Sequence, residues 1–156
     1  MQRAQFCIYN ELMGLYNFAY FQVGAKAIVS KGDKILLLTT PSGLYDFPGG
    51  RMDESEVELE IKEVLLREIH EELGENFKCK LGKVIFVSKR HYTKNNLDYR
   101  VLVIFFEAQF IDGDIELSEE HSSSSWVEPA SVLSSPEKFI SVDEYKQFKD
   151  YCQLII

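Results

Sequence analysis

Glu68, Glu71 and Glu72 stand at i, i+3 and i+4, a spacing that on a helix sets three carboxylates on neighbouring points of one face. Like charges so placed repel, each pair costing roughly a few tenths of a kcal/mol in an isolated helix, so the cluster calls for a compensating cation. Hard carboxylate oxygens suit Mg²⁺ or Mn²⁺, and Mg²⁺ commonly links a few protein carboxylates to substrate phosphates. Arg67 directly precedes Glu68 and lies four residues before Glu71, close enough to orient either one. On residue types alone, a glutamate-rich solvent-facing helix accounts for the same cluster.

The charge pattern points the same way. The 156 residues carry 17 basic and 25 acidic side chains, a net charge of −8. Asp53 to Glu75 holds ten acidic residues against two basic ones, and the rest of the chain is neutral. Directly after it, Asn76 to Leu97 holds Lys78, Lys80, Lys83, Lys89, Arg90 and Lys94 with no acid. An acidic block beside a basic one suits a polyanionic substrate with a metal ion between, and it also suits two solvated faces. Lys89 and Arg90, with His91, could meet substrate phosphates or simply be solvated strand residues. General binding to nucleic acid is excluded as an expectation, because it needs a broad basic surface.

The elements that must position these residues follow from periodicity. Val23 to Val29 and Lys34 to Thr40 are apolar, β-branched runs around Ser30-Lys31-Gly32-Asp33 and predict a hairpin. Tyr45 to Phe47 predicts a short strand stopped by Pro48-Gly49-Gly50. From Glu56 to Leu73, Val57, Ile61, Val64, Leu65, Ile69 and Leu73 step by three or four, an amphipathic helix with Gly74 at its C-terminal cap. Val84 to Val87 and Val101 to Phe110 predict strands, the second central; Trp126-Val127 predicts a short buried strand, and Pro129 opens a short helix. Asp143 to Ile155 predicts a closing helix with Tyr145, Phe148, Tyr151 and Cys152 on one face. Strands and helices without regular alternation imply an α/β (α+β) fold with a mixed central sheet and helices on both faces.

Length and an apolar content of 46% fit one globular domain, assigned to residues 23–156. Residues 1–22 form an aromatic-rich extension expected to pack on the domain or on a second subunit, so a homodimer is an arrangement it allows. Cys7, Cys79 and Cys152 are odd in number and lack a C-x-x-C spacing, which predicts reduced thiols and a cytoplasmic location. No apolar run approaches the roughly 20 residues of a membrane span, and no signal peptide is expected.

The segment Arg67-Glu68-Ile69-His70-Glu71-Glu72-Leu73-Gly74, preceded by Phe47-Pro48-Gly49-Gly50, resembles the signature of the Nudix hydrolase family, G-x5-E-x7-R-E-U-x-E-E-x-G-U with U aliphatic. The resemblance extends from about Val23 to Leu133. Two departures stand out. Ten residues rather than seven separate Glu56 from Arg67, so the first glutamate of the pattern is Glu56, Glu60 or Glu63. The final aliphatic position is Glu75, with Phe77 available to pack the helix exit.

The resemblance implies a Nudix-like α/β/α sandwich and a Mg²⁺-dependent hydrolase, Mn²⁺ being an alternative, that cleaves a diphosphate bond in a nucleoside diphosphate linked to another group. It implies Glu68, Glu71, Glu72 and the backbone carbonyl of Gly49 as metal ligands, and Arg67 as the residue fixing the glutamates. Glu120, six residues before Trp126, matches a further catalytic glutamate of the family, as ligand or general base. Tyr92, near the place where dinucleoside polyphosphate hydrolases of the family carry a tyrosine, joins Lys89 and Arg90 as a substrate-binding candidate. ADP-ribose hydrolases of the family tend to carry a proline about sixteen residues after the signature, where this chain has His91. A nucleoside triphosphate or dinucleoside polyphosphate is therefore favoured over ADP-ribose. The alternative is a nucleotide-binding sensor of the same fold that does not cleave its ligand.

Overall fold

The computed structural model describes residues 19–155. Seven strands, β1 (Gln22–Lys31), β2 (Lys34–Thr39), β3 (Tyr45–Asp46), β4 (Gly49–Arg51), β5 (Lys78–Lys94), β6 (Leu97–Asp112) and β7 (Ser123–Val127), form one sheet. Among the described residues three α-helices accompany them: α1 (Ile61–Leu73), α2 (Pro129–Val132) and α3 (Val142–Ile155). The strand order is β3-β2-β1-β6-β5, with β4 also on β1 and β7 also on β2. β1 and β6 run parallel and the other named pairs antiparallel, so the sheet is mixed.

Alternation along the strands builds two cores. Ala25, Ala27 and Val29 of β1, Leu36 and Leu38 of β2, and Phe106 and Ala108 of β6 face α1, where Leu65, Ile69 and Leu73 are buried. Ile28, Ile35, Leu37, Val101, Val103 and Phe105 face the other way, onto Phe148 and Cys152 of α3. Phe47 meets Phe148 there at a ring separation of 5.4 Å, each such buried side chain contributing about 1.5–3 kcal/mol. These layers form the expected α/β/α sandwich.

β1 is flanked on one side by β6 and on the other by two different strands. Its N-terminal half pairs with β4, Lys26 opposite Gly49, and its C-terminal end pairs with β2, Lys31 opposite Lys34. Between these partners Ala27 donates to the Pro48 carbonyl. Lys26, in the middle of an apolar run, therefore emerges beside the place where the chain leaves β3 and enters β4.

Several elements differ from the sequence-based expectation. α1 begins at Ile61 rather than Glu56; Glu54–Glu56 is a 3₁₀ turn, and Val57 is 58% exposed although it fits the helical period. Glu60 and Glu63 form a capping box, the Glu60 N–H donating to the Glu63 carboxylate at 3.0 Å, and this starts the helix there. β3 does end before Pro48, but Gly49-Gly50 also opens a further strand, β4. Val84 to Val87 is only the middle of β5, which with β6 makes a long hairpin closed by Asn95-Asn96, both at positive φ (52° and 59°). Two successive left-handed residues are what a tight twisted hairpin needs. Three of the four serines of Ser122 to Ser125 belong to β7, paired with Leu37 to Thr39. Phe77 is fully buried at the exit of α1. Residues 1–18, which carry most of the N-terminal extension, lie outside the described residues. No described helix is long and apolar enough to cross a membrane.

Candidate active site

α1 delivers its glutamates to β4 at close range. Glu72 is buried, and its Oε2 accepts the Gly49 N–H at 2.7 Å. Gly49 has φ +126°, and a Cβ there would lie 2.2 Å from the Ala25 carbonyl oxygen and 2.7 Å from Leu65. A Cβ on Gly50 would lie 2.3 Å from the Glu68 carboxylate. The glycine pair is thus required by the approach of both carboxylates, which explains its place before the helix.

Arg67 gathers four carboxylate contacts. Its Nε and Nη2 donate to Glu56 at 2.5 and 3.0 Å, Nη2 donates to Glu68 at 2.7 Å, and Nη1 donates to Glu71 at 2.9 Å. These bonds, the one to Glu56 foremost, hold the guanidinium charged, and the Glu56 carboxyl in turn sits below the usual range because Arg67 and the Asp53 N–H bind it. Glu56 is therefore the partner of Arg67, whereas Glu60 and Glu63 are spent on the cap. The 3₁₀ turn and the residues up to Glu60 absorb the extra length between Glu56 and Arg67.

A cavity of about 740 Å³ opens beside β4. Glu68 and Glu72 line it, as do Gly49, Gly50 and Glu120. Glu71 does not; its side chain is 60% exposed and turned to Arg67. Among the described residues no three acidic, histidine or cysteine side chains stand grouped as a ready metal cage. Burial raises the Glu68 carboxyl, and it pushes Glu72 up to about 7, with the negative Asp46 adding to the rise against Lys26, the Gly49 N–H and His121. A buried and a partly buried carboxylate that resist ionisation, offering hard oxygens to one cavity, fit a divalent cation whose charge would let both ionise.

Other residues of the site were not singled out in the sequence. Lys26 Nζ lies 2.8 Å from Asp46 Oδ2 and 4.0 Å from Glu72 Oε1; His121 Nε2 lies 3.3 and 3.9 Å from the same two atoms. Burial alone would raise Asp46, but Lys26, the His121 hydrogen bond and Arg90 outweigh it and hold the carboxyl well below the ordinary range. Arg90 lines the cavity but is engaged by Glu144 Oε2 at 2.7 Å and Asp46 Oδ1 at 3.4 Å. Lys89, its neighbour on β5, is exposed and outside the cavity lining, its backbone N–H donating to Asp143. Tyr92 lines the cavity, stacks on Tyr99 with ring centroids 5.1 Å apart, and its hydroxyl lies 3.3 Å from Arg51 Nη1. Arg51, His91 and Lys94 line the same cavity.

The NUDIX domain family model matches residues 20–150. The chain belongs to the Nudix family. It is a Nudix-type pyrophosphohydrolase, of a family that acts on nucleoside diphosphate derivatives and generally uses a divalent metal, typically Mg²⁺. Among solved structures, it is similar to a MutT protein from Methanosarcina mazei, at 22% identity and a TM-score of 0.67, covering 85% of this chain and 94% of that one. It is also similar to an Ap4A hydrolase from C. elegans (17% identity, TM-score 0.60, covering 86% and 97% of the two chains). An ADP-ribose pyrophosphatase from Streptococcus suis is similar at 21% identity and a TM-score of 0.55, over 71% and 76%. At these identities the likeness shows the shared fold. No curated protein matches the sequence.

Proposed function

We propose that this Nudix enzyme hydrolyses a nucleoside triphosphate or dinucleoside polyphosphate in preference to ADP-ribose. The observation that carries the reading is the basic lining of the cavity, where Arg51 and Lys94 share one space with Glu68 and Glu72. A longer phosphate chain would engage this lining while its scissile diphosphate meets the glutamates. Tyr92, already paired with Tyr99, offers a flat apolar face to a base.

In this reading Glu68 and Glu72, with the Gly49 carbonyl, hold Mg²⁺ or alternatively Mn²⁺, with Glu71 in reserve behind Arg67. The metal would activate a water and neutralise charge growing on the phosphates. The remaining work falls to side chains of this chain. Arg67 fixes Glu68 through a bond of 2.7 Å and is itself fixed by Glu56. Glu120, exposed at the cavity rim, accepts the proton of the attacking water. Phosphate recognition passes from Lys89, which is outside the cavity, to Arg51 and Lys94.

Product release from deoxynucleoside triphosphates, dinucleoside polyphosphates, ADP-ribose and sugar nucleotides, at roughly 5–10 mM Mg²⁺ to fill a weak carboxylate site, tests the proposal. Turnover of a triphosphate or dinucleoside polyphosphate, lost in Glu72→Gln, is the expected result. Faster turnover of ADP-ribose overturns the substrate preference, and full activity in Glu72→Gln overturns the assignment of the site.

A further inference from the structure

From the cavity wall at Lys26, Asp46, Arg90 and His121 a set of charges that hydrolysis as described does not use runs inward to Glu144. Glu144, in the first turn of α3, is fully buried. Its Oε2 accepts from Arg90 Nε at 2.7 Å, while Oε1 has no hydrogen-bond partner. Arg90 reaches on to Asp46 with Nη2, and Asp46 holds Lys26 and His121 with its other oxygen. Lys26 and His121 then stand 4.0 and 3.9 Å from Glu72 Oε1. The signs alternate from the last helix to the cavity: Glu144, Arg90, Asp46, Lys26, Glu72.

Stability does not account for this arrangement. A buried ion pair sheds so much hydration that apolar residues of similar volume often serve as well or better. The surroundings are already apolar, with Phe47, Phe139 and Phe148 packed on the same side of the sheet. An apolar pair at Arg90 and Glu144 would extend that core. What it could not do is decide which anion Lys26 serves. Lys26 has Asp46 at 2.8 Å and Glu72 at 4.0 Å, so a small displacement of Asp46 would hand the ammonium to Glu72. An ammonium seated on Glu72 would compete with a divalent cation for the same oxygens. Asp46 Oδ1 is held by the Phe47 N–H at 2.9 Å and by Arg90 at 3.4 Å, and the guanidinium spans two carboxylates only while Glu144 balances it from the far side. Without Glu144 the guanidinium loses its seat, and without the guanidinium Asp46 loses a partner on Oδ1 that keeps its other oxygen on Lys26.

We propose that Glu144 is a positioning residue of the hydrolytic site: by holding Arg90 between itself and Asp46, it keeps Lys26 and His121 on Asp46 and leaves Glu72 Oε1 open to a divalent cation. The inference rests on the metal-binding role given to Glu72 under Proposed function. It makes α3 part of the active site as well as a cover for the sheet.

Mn²⁺ binding to the full chain without nucleotide, read by the loss of the free-ion electron paramagnetic resonance signal, tests it together with melting temperatures. Glu144→Gln is expected to weaken Mn²⁺ binding about 10- to 100-fold, the usual effect of removing a group that orients a metal ligand. The double variant Arg90→Met with Glu144→Leu removes both buried charges, so it is expected to melt no lower than the wild type while also binding Mn²⁺ more weakly. In Glu144→Gln, activity lost at low Mn²⁺ is expected to return at high Mn²⁺ with the nucleotide KM unchanged. A merely structural role would lower the melting temperature and leave the metal affinity alone. Either variant, folded and binding Mn²⁺ as tightly as the wild type, overturns the proposal, and the double variant decides if Glu144→Gln does not fold. Glu72→Gln separates the two readings. If it alone loses Mn²⁺, the metal site stands and the positioning role falls; if it keeps Mn²⁺, the assignment of Glu72 falls as well.

Discussion

Glu72 is held by Gly49, shadowed by Lys26 and His121, and buried to the point that its carboxyl is pushed up to about 7 from an ordinary 4.5. A carboxyl raised by folding binds its proton more tightly in the folded chain than in the unfolded one. Metal-free stability is therefore greatest below the ordinary value and falls as pH rises through about 7, above which the loss is complete. Glutamine at this position keeps an oxygen for the Gly49 N–H and carries no charge to bury. The metal-free Glu72→Gln protein is expected to melt several degrees above the wild type at pH 8, with little difference at pH 5, as scanning calorimetry in chelator would show. With the metal-binding role proposed for Glu72, a carboxylate that costs stability in the resting protein is the usual trade at a functional site. A melting temperature at pH 8 that fell on substitution would contradict this account of its burial.

At the scale of elements, the start of α1 separates three glutamates that the sequence left interchangeable. Glu56 holds Arg67, whereas Glu63 closes the capping box with Glu60. Glu56→Ala is expected to lower kcat about 10- to 100-fold by freeing the arginine that orients Glu68. Glu63→Ala is expected to leave kcat unchanged and to cost about 0.5–1 kcal/mol, a fall of roughly 2–4 °C in melting temperature. Steady-state kinetics and thermal melts on the two proteins check both outcomes; equal losses of activity would mean that the cap and the arginine clamp are not separate devices. The carboxylate cluster was legible in the sequence because its spacing is local, four residues from Glu68 to Glu72 on one helix. Lys26, Asp46 and His121 were not, because their pairing joins residues 20 and 75 positions apart, and no local period carries it. The visible trace was a lysine inside the apolar run of β1. The length of β5 was likewise hidden, since its polar second half and Asn95-Asn96 show their meaning only once both asparagines are seen at positive φ.

For the molecule as a whole, the proposed metal site links metal binding to folding through the cavity. A cation that binds only the folded chain raises its stability by about 2.7 kcal/mol at a hundred times its Kd, on the order of 5–10 °C for a chain of this size. Adding Mg²⁺ to chelated protein is expected to raise the melting temperature by this order, and the rise should vanish in Glu72→Gln. An equal rise in that variant would place the ion elsewhere. The sandwich itself followed from alternation, with two apolar faces on β1, β2 and β6 and one apolar stripe on each long helix. The order of strands did not, because nothing in β1 announces that its parallel neighbour is β6.

That parallel pairing bears on how the enzyme comes into being. β1 lies alongside β6 from Gln22 opposite Val101 to Ser30 opposite Gln109, with α1 and all of β5 intervening in the chain. During synthesis the β1–β2 hairpin must leave the ribosome with a bare apolar edge and wait for a distant partner, the interval in which nascent chains pair wrongly or meet a chaperone. Glu144 emerges later still. A nascent chain stalled before α3 would hold every glutamate of the signature and yet have no seat for Arg90 and no cover over Phe47.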